Sequence, residues 1–511
     1  SAPSIADELA ERMLSEFAEQ VEPLDTPRLS PERRQRVWEN TGVLPSGIDR
    51  MVVEAMHRTT MGVDHDYRNI LLHAFRTALA DGWGGSRIAT MVSDILFGTP
   101  SPVRSNANLG VLREDAVNIV VHGHEPELSE MLAVATREPD MVAYAEAAGS
   151  RGVNLAGICC TANEILMRHG IPVAGSFLQQ ELALVTGAVE MMLIDVQCCM
   201  PSLPDVARAY HTEVVSTANM ARTQGATHQP LDSDNALESA RTLIRRAVDN
   251  FQRRDAGKVT IPQESKPLVA GFSVSAIKYM LGGRFRGSFR PLNDAIIQGR
   301  IRGVVGIVGC NNPQTQVDAY TNTLTRELLK QNVLIVKTGC AAIASAKAGL
   351  LVPEAAMEYA GPGLKEVCEA IGMPPVLHMG SCVDNSRILE AVTEIVLETG
   401  LGDDLATIPV VGAAPEWMSE KAVTIGCYFV ASGIDVVLGH SFHISGSEKV
   451  ERFLNHEVAE LFGASFHVCD EPTSAAETIL GLIDARRSRL GIDKKAERKL
   501  FDMKDRRALS V

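Results

Sequence analysis

Short runs of apolar, mostly β-branched residues recur along most of the chain, separated by stretches with helical spacing. Such runs, bounded by glycine and alternating with helices, are typical of buried parallel strands. We predict strands over 117–126, 152–161, 191–201, 213–217, 301–310, 332–340, 374–382, 408–415, 435–440 and 464–469. Residues 1–112 have a different pattern, with apolar positions at helical spacing between proline-rich breaks, and they predict helices.

These patterns predict an α/β protein of three parts. A helical domain over 1–112 precedes two doubly wound α/β domains over 113–265 and 266–511, and 257–267 reads as the connection between them. A chain of 511 residues is long enough for two to four domains.

Composition narrows the range of partners. Apolar residues make up 45% of the chain and charged residues 22%, which is typical of ordered globular proteins. The formal charge of −14 argues against nucleic acid or an anionic membrane surface as the main partner. We expect no membrane span, because no run of 18 apolar residues is free of charge, and no secretory signal, because the start lacks a basic segment and an apolar segment. A cytoplasmic protein is the expectation.

The placement of cysteine and histidine is the strongest chemical signal. Ten cysteines in this length are too sparse for a disulfide scaffold, and the sequence contains no Cys-x-x-Cys. Six potential ligands instead stand at the carboxyl ends of predicted strands, where open α/β sheets bind their ligands. They are His124, Cys160, Cys198, Cys310, Cys340 and Cys382, with His122 as the alternative histidine.

Five thiols and one imidazole exceed the four ligands of a zinc ion or a simple iron–sulfur cubane. The donor set therefore predicts a cluster of several metals with soft sulfur ligation and one iron of mixed ligation. Glycine or another small residue beside most of these donors leaves room for a bulky inorganic group near the backbone.

Six sequence segments resemble the anaerobic nickel–iron carbon monoxide dehydrogenases, in the same order and over essentially the whole chain. They are Gly157-Ile-Cys-Cys-Thr-Ala-Asn-Glu164, Asp195-Val-Gln-Cys-Cys-Met-Pro-Ser202, Val308-Gly-Cys-Asn-Asn312, Thr338-Gly-Cys-Ala-Ala342, His378-Met-Gly-Ser-Cys-Val-Asp-Asn-Ser-Arg387 and Ala414-Pro-Glu-Trp-Met-Ser-Glu-Lys421.

The resemblance implies a fold and a reaction. The fold would be a helical domain followed by two Rossmann-like domains. The reaction would be the reversible oxidation of CO with water to CO2, two protons and two electrons at a nickel–iron–sulfur cluster of the [Ni-4Fe-4S] type. The six donors fall on the family's cluster ligands, with Cys382 expected on nickel and His124 on the iron outside the distorted cubane.

Two further residues are candidates for the chemistry. Lys421 matches the family lysine whose charge stabilises the carboxylate that forms during the reaction. Asp81, in a glycine-rich loop, is a weaker candidate for a carboxylate that supports the site. Cys159 and Cys199 are expected to point away from the cluster if their strands stay extended.

The sequence also departs from the family. Family members carry a preceding segment with the cysteines of additional [4Fe-4S] clusters and a histidine proposed to move protons, and neither motif occurs in this chain. The chain is expected to be either a fragment or a natural short form. The residues at 199 and 417 are unusual for the family. A ferredoxin-like electron acceptor and a homodimer are implied by the resemblance alone.

Two other functions remain open from the sequence. The same scaffold could hold a hybrid iron–sulfur–oxo cluster that reduces hydroxylamine, or the chain could be a non-catalytic electron-transfer subunit. The presence of all six ligand types favours the nickel enzyme.

Overall fold

The computed structural model describes residues 7, 8, 10, 11 and 24–493, apart from 284–286, 399 and 445. Its strands are β1 (Val103–Ala107), β2 (Val117–Gly123), β3 (Val153–Ile158), β4 (Val173–Gly175), β5 (Val189–Ile194), β6 (Glu213–Ser216), β7 (Thr227–His228), β8 (Lys266–Ala270), β9 (Gly303–Ile307), β10 (Val333–Thr338), β11 (Val376–Gly380), β12 (Val410–Ala414), β13 (Val436–Leu438) and β14 (Phe466–Val468).

Helices precede and separate these strands. They are α1 (Glu32–Thr41), α2 (Ile48–Arg58), α3 (Tyr67–Leu79), α4 (Ser86–Phe97), α5 (Pro126–Ala135), α6 (Pro139–Ala147), α7 (Cys159–His169), α8 (Gln180–Val185), α9 (Leu203–Ala207), α10 (Ala236–Phe251), α11 (Val274–Gly282), α12 (Arg290–Ile297), α13 (Ala319–Lys330), α14 (Gly339–Lys347), α15 (Glu354–Tyr359), α16 (Pro362–Ile371), α17 (Asn385–Leu397), α18 (Glu420–Ala431), α19 (Glu448–Arg452), α20 (Val458–Phe462) and α21 (Pro472–Arg489).

The strands of the described residues form one sheet, in the order β14-β13-β12-β9-β10-β11-β8-β1-β4-β3-β2-β5-β6-β7. The order contains two parallel units. In β2–β7, which we call the first sheet half, the chain winds from β2 through β3 to β4 and then returns to β5, β6 and β7 on the other side. In β9–β14, the second sheet half, the same order repeats. This is the doubly wound order of Rossmann folds, and the predicted α/β class is confirmed.

Two strands outside the halves join them. β1 and β8 pair in antiparallel fashion, with Val103 opposite Ala270, while β1 pairs with β4 and β8 with β11 in parallel. β1 lies within the segment predicted to be helical, and β8 begins at Lys266, inside the predicted connection. The division into domains at 112 and 265 stays a prediction.

Burial explains why the central strands have no polar face. Every residue of β2, β9, β10 and β11 is buried, because helices cover both faces of the sheet. The sequence of these strands is accordingly mostly apolar and does not alternate between apolar and polar residues.

The helices before β1 pack against the second sheet half. Trp38 and Trp83 are fully buried against each other, and their indole N–H groups donate to Ala431 O and Ser432 Oγ at 2.7 and 2.9 Å. The buried guanidinium of Arg34 forms an ion pair with Asp404 at 2.5 Å. Since a buried charge needs such a partner, this pair fixes the position of α1.

None of the helices in the described ranges is long and apolar enough to cross a membrane.

Candidate metal centre

All six predicted ligands follow strands of the two sheet halves, close to their carboxyl ends. In the first half they come after β2, β3 and β5, and in the second after β9, β10 and β11. Two of the cysteines, Cys160 and Cys340, are the second residues of α7 and α14. A helix N-terminus stabilises a thiolate because its free N–H groups and dipole favour negative charge.

The structure brings these residues of the two halves together. The backbone N–H of Cys382 approaches Cys160 Sγ at 3.4 Å, although the two residues lie on different sheet halves. Lys421 Nζ is 2.6 Å from His124 Nε2 and 3.9 Å from Cys198 Sγ.

The remaining two thiols have close neighbours of their own. Cys310 Sγ lies 3.6 Å from Ser419 Oγ, two residues before the lysine. Cys340 Sγ lies 3.9 Å from Cys159 Sγ of the first half. The sulfur donors therefore meet where the two sheet halves face each other.

The position of the lysine is set by β12 and α18. Lys421 is the second residue of α18, which starts six residues after β12 ends at Ala414. Burial opposes its charge, but the charges of Cys160, Cys382, Cys198 and Cys310 outweigh burial and raise its pKa. It is therefore a permanent cation among the thiols.

The thiols differ in their readiness to ionise. The hydrogen bond from the Cys382 thiol, together with the nearby charges of His124 and Lys421, holds the pKa of Cys160 well below its usual value in spite of burial. Burial raises the pKa of Cys310. Metal binding requires deprotonation, so the site couples cluster binding to proton release.

The two histidines of His-Gly-His have different surroundings. His124 Nδ1 lies 2.9 Å from Val196 O, to which it can only donate, so Nε2 is the ring nitrogen that faces Cys198 and Lys421. His122 Nε2 lies 3.0 Å from Cys198 O and can only donate to it. Burial lowers the pKa of His122 to about 4, so it is a neutral support for the backbone. The geometry favours His124 as the ligand.

Asp195 organises the same corner. Its carboxylate accepts the backbone N–H groups of His124 at 2.6 Å and Glu125 at 3.1 Å, and also that of Val196. Burial raises its pKa to about 6. Gly123, at φ +139°, is required here, because a Cβ atom would overlap the Asp195 carboxylate.

The donor set fits a cluster better than a single ion. Within the described ranges, no three His, Cys, Asp or Glu side chains are arranged to hold one metal ion together. The donors instead have different neighbours, with Cys160 beside Cys382 and His124 beside Cys198, so they do not converge on one point. A Cβ at Gly339 would lie 2.8 Å from Cys382 Sγ, so this glycine keeps space free beside the sulfur. Five thiols, one imidazole and a lysine suit an anionic iron–sulfur cluster.

A comparison with known proteins identifies the family of this chain. The model of the Prismane/CO dehydrogenase family matches residues 1–473. The chain belongs to this family.

Its relatives are similar over most of their length. Carbon monoxide dehydrogenase 1 of Methanosarcina mazei is 51% identical over 493 residues, which cover 96% of this chain and 77% of the relative. A nickel-free crystal structure of carbon monoxide dehydrogenase from Thermococcus sp. AM4 superposes with a TM-score of 0.92 at 50% identity, over 96% of this chain and 76% of that one. Carbon monoxide dehydrogenase IV from Carboxydothermus hydrogenoformans gives a TM-score of 0.92 at 45% identity, over 96% and 79%.

The cysteines that adjoin the proposed ligands Cys160 and Cys198 have different orientations. β3 ends at Ile158, and Cys159 has φ +63°, so the strand does not stay extended and the Cys159 thiol turns towards Cys340. Cys199 Sγ instead contacts the carbonyl oxygens of Gln197 and His122. The expectation that both would point away from the site is wrong for Cys159, because a left-handed residue reverses the side-chain direction.

Asp81 lies in the π turn Ala80–Gly85, where it accepts a hydrogen bond from Ser86 Oγ at 2.8 Å. Burial raises its pKa. Tyr428 is also buried, and burial, followed by the charges of Asp81 and Cys382, raises the pKa of its phenol. The role of Asp81 stays a prediction.

Sequence reasoning missed three residues that shape the site. They are Asp195, Ser419 and Cys159. Asp195 directly follows β5 in the structure but lies inside the predicted strand 191–201, so the strand-end argument that selected the cysteines did not select it. The contacts of Ser419 and Cys159 depend on the backbone path after β12 and β3, which residue spacing does not reveal.

Proposed function

We propose that the chain catalyses the reversible oxidation of CO with water to CO2, two protons and two electrons, as an oxidoreductase with a nickel–iron–sulfur cluster. The observation that carries this proposal is the convergence of five thiols, one imidazole and one half-buried lysine between two doubly wound sheet halves. Relatives that are 51% identical are named carbon monoxide dehydrogenases. One solved relative, similar over 96% of this chain, is an acetyl-CoA synthase/carbon monoxide dehydrogenase whose alpha subunits are described with NiZn[Fe4S4] and NiNi[Fe4S4] clusters.

The proposed ligands are the six predicted ones: His124, Cys160, Cys198, Cys310, Cys340 and Cys382. Cys382 is proposed on nickel and His124 on the iron outside the cubane. When bound, the cluster supplies a site for CO and for activated water, and it takes up two electrons.

The chain's own groups then position and stabilise the reactants. Lys421 Nζ would place its positive charge where negative charge develops on the oxygens of the carboxylate that forms. The bond from His124 Nδ1 to Val196 O fixes the imidazole, and Asp195 fixes the backbone that carries it. Asp81 is proposed as a more distant carboxylate that acts through Tyr428.

Several wider proposals accompany this function. We propose a ferredoxin-like electron acceptor, a homodimer, a cytoplasmic location, and domains over 1–112, 113–265 and 266–511. The two other functions considered, a hydroxylamine reductase and an electron-transfer subunit, gain no support from these relatives, which are named carbon monoxide dehydrogenases.

The test is metal analysis and CO-dependent viologen reduction by anaerobically purified protein. The expected result is nickel together with iron and sulfide, and viologen reduction that requires CO. Full iron occupancy without nickel or CO activity would refute the proposal.

A variant pair separates the site from general damage. Cys382→Ala should lose nickel and CO oxidation. The matched control is Cys368→Ala, whose thiol is buried in the core of α16, and it should keep both. CO oxidation retained by Cys382→Ala would contradict the ligand assignment.

A further inference from the structure

A cavity of about 550 Å³ lies beside the centre. One wall is apolar and comes largely from α3, α18 and the segment after β13, including Leu71, Phe75 and Val423. The other wall is polar. It includes Asn312, which stands two residues after Cys310, and Ser419, whose hydroxyl lies 3.6 Å from Cys310 Sγ. The cavity therefore begins next to a proposed cluster ligand.

Two histidines line the same cavity at different depths. His440 follows β13 and is half-buried, whereas His443 is exposed. Trp417 holds His440 in place, because the two rings are stacked at 4.3 Å with an angle of 9° between their planes. The indole N–H of Trp417 also donates to His440 O at 3.0 Å. The histidines thus form a line from the interior to the surface.

Protons that are released at the centre need groups that carry them to the solvent. Each turnover of the proposed reaction releases two protons, and a thiolate-rich site cannot store them. A cavity of this size holds several waters, since each occupies about 30 Å³ in the liquid. The polar wall offers those waters Asn312, Gln314, Ser419 and Glu420 as hydrogen-bond partners.

We propose that His440 accepts protons released at the centre through water in this cavity, and that His443 passes them to solvent. The proposal rests on the proposed function. In the step, the cavity water takes up the proton released at the centre and gives one to His440, so that one O–H bond forms as another breaks and a new N–H bond forms on the neutral imidazole. The imidazolium then passes the proton outwards and becomes neutral again. The electrons leave separately, to a low-potential acceptor such as a ferredoxin or a viologen.

The surroundings suit a transient proton carrier. Burial and, secondarily, the charge of His443 lower the pKa of His440, so it is neutral at pH 7 and does not retain a proton once it is charged. Among the described residues, the other titratable groups that line the cavity are Glu420, Cys427 and His443.

The kinetic test uses the metal-loaded enzyme in weak buffer. His440→Ala should lower kcat for CO oxidation roughly tenfold to hundredfold, with nickel and iron content unchanged, because a positioned proton acceptor is lost. Added imidazole, which fits the cavity, should restore most of the rate. His443→Ala should have a smaller effect, because solvent reaches that position directly.

A second cavity residue is the control. Val423→Ala enlarges the same cavity without removing a base, and it should show neither the loss nor the imidazole effect. An unchanged kcat in His440→Ala, or a loss that imidazole does not restore, would overturn the proposal. Absence of CO oxidation in the wild-type enzyme would instead refute the proposed function.

A fluorescence titration tests the histidine independently of activity. A protonated imidazole stacked on an indole quenches its emission, so the metal-free wild-type protein should lose Trp417 emission with a midpoint below pH 6.5. Trp417→Phe and His440→Ala should each abolish this transition. No transition in the wild type, or one that persists in either variant, would contradict the proposed position and basicity of His440.

Discussion

The two sheet halves have the same strand order but close their crevices in different ways. In the first half, the loops after β2 and β5 are tied together by Asp195, which accepts three backbone N–H groups. In the second half, the loops after β9 and β12 carry Cys310 and Ser419 and open into the cavity that contains His440. The same topology therefore gives a crevice that hydrogen bonds close in the first half and a crevice that opens into a cavity in the second half.

The difference assigns different tasks to the halves. The first half contributes one histidine and two cysteines from rigid loops, with left-handed backbone at Gln197 and Cys198. Such strained positions persist where the surrounding structure holds them, and they cluster at functional sites. The second half contributes three cysteines, the lysine and the route to solvent. We infer that metal affinity depends on both halves and that turnover depends more on the second.

The largest effect is expected from His124 of the first half, compared with the nearby His122. His124→Gln should abolish CO oxidation and lower the iron content, because a proposed ligand is lost. His122→Gln should keep substantial activity and lose stability, because only a buried bond to Cys198 O is altered. Metal analysis and viologen reduction of both variants check this. Equal losses in the two variants would remove the distinction between ligand and support.

The lysine of the second half should affect turnover without affecting the metals. Lys421→Met should lower kcat about 10²–10³-fold, the magnitude typical of losing one electrostatic stabiliser of a transition state. Nickel and iron content should be unchanged, because the side chain is not a proposed ligand. A variant without metal would show that the cation is needed to hold the thiolates together rather than to stabilise the reaction.

The carboxylate that closes the first half should affect the metals more than turnover. Asp195→Ala leaves the N–H groups of His124, Glu125 and Val196 without their acceptor. We expect metal affinity to fall about 10–100-fold, as is typical when a partner that orients a ligand is lost. Competition with a chelator measures this. Glu416→Gln, which changes a carboxylate that accepts the N–H groups of Asp318 and Thr321 in the second half, should have the smaller effect.

The smallest effect on activity is expected when Lys337, a buried lysine of the second half, is replaced. Three residues before its cysteine, the second half has Lys337 where the first half has Gly157. Lys337 is fully buried and donates to Ser345 Oγ at 2.7 Å. Burial lowers its pKa from 10.5 to about 7.

Between pH 7 and 10.5 the unfolded chain therefore carries a proton on this lysine that the folded chain does not. The free energy of unfolding should rise by about 1.4 kcal/mol for each pH unit in this window from this group alone, and Lys337→Met should remove that rise. Denaturant titrations of both proteins at pH 7 and 9 measure the difference. Parallel pH dependences would show that the lysine keeps its charge through a neighbouring acid.

Much of the fold follows from the apolar runs. The long buried strands, such as β2 and β10, were predicted within a few residues, because a continuous β-branched run has few other uses. β4 and β7 were missed because three and two residues leave no periodic signal. The joining of the halves through β1 and β8 could not be predicted, since that pairing connects residues more than 150 positions apart.

The site was predictable to a similar degree. The six predicted donors lie together in the structure, since parallel strands end at one edge of each half. The turn of Cys159 towards Cys340 depends on one left-handed residue, and the stacking of Trp417 on His440 depends on a loop conformation. Neither feature produces a residue spacing in the sequence from which it could be predicted.

The packing of Trp38 has a consequence for synthesis. Its indole N–H donates to Ala431 O, 393 residues later in the chain. At a translation rate of about 5–20 residues per second, that acceptor emerges roughly 20–80 s after the tryptophan. For that time the helices before β1 have no surface on which to bury their tryptophans. The earliest part of the described chain is therefore among the last to reach its final packing, and a nascent chain depends on protection from aggregation until the second half is complete.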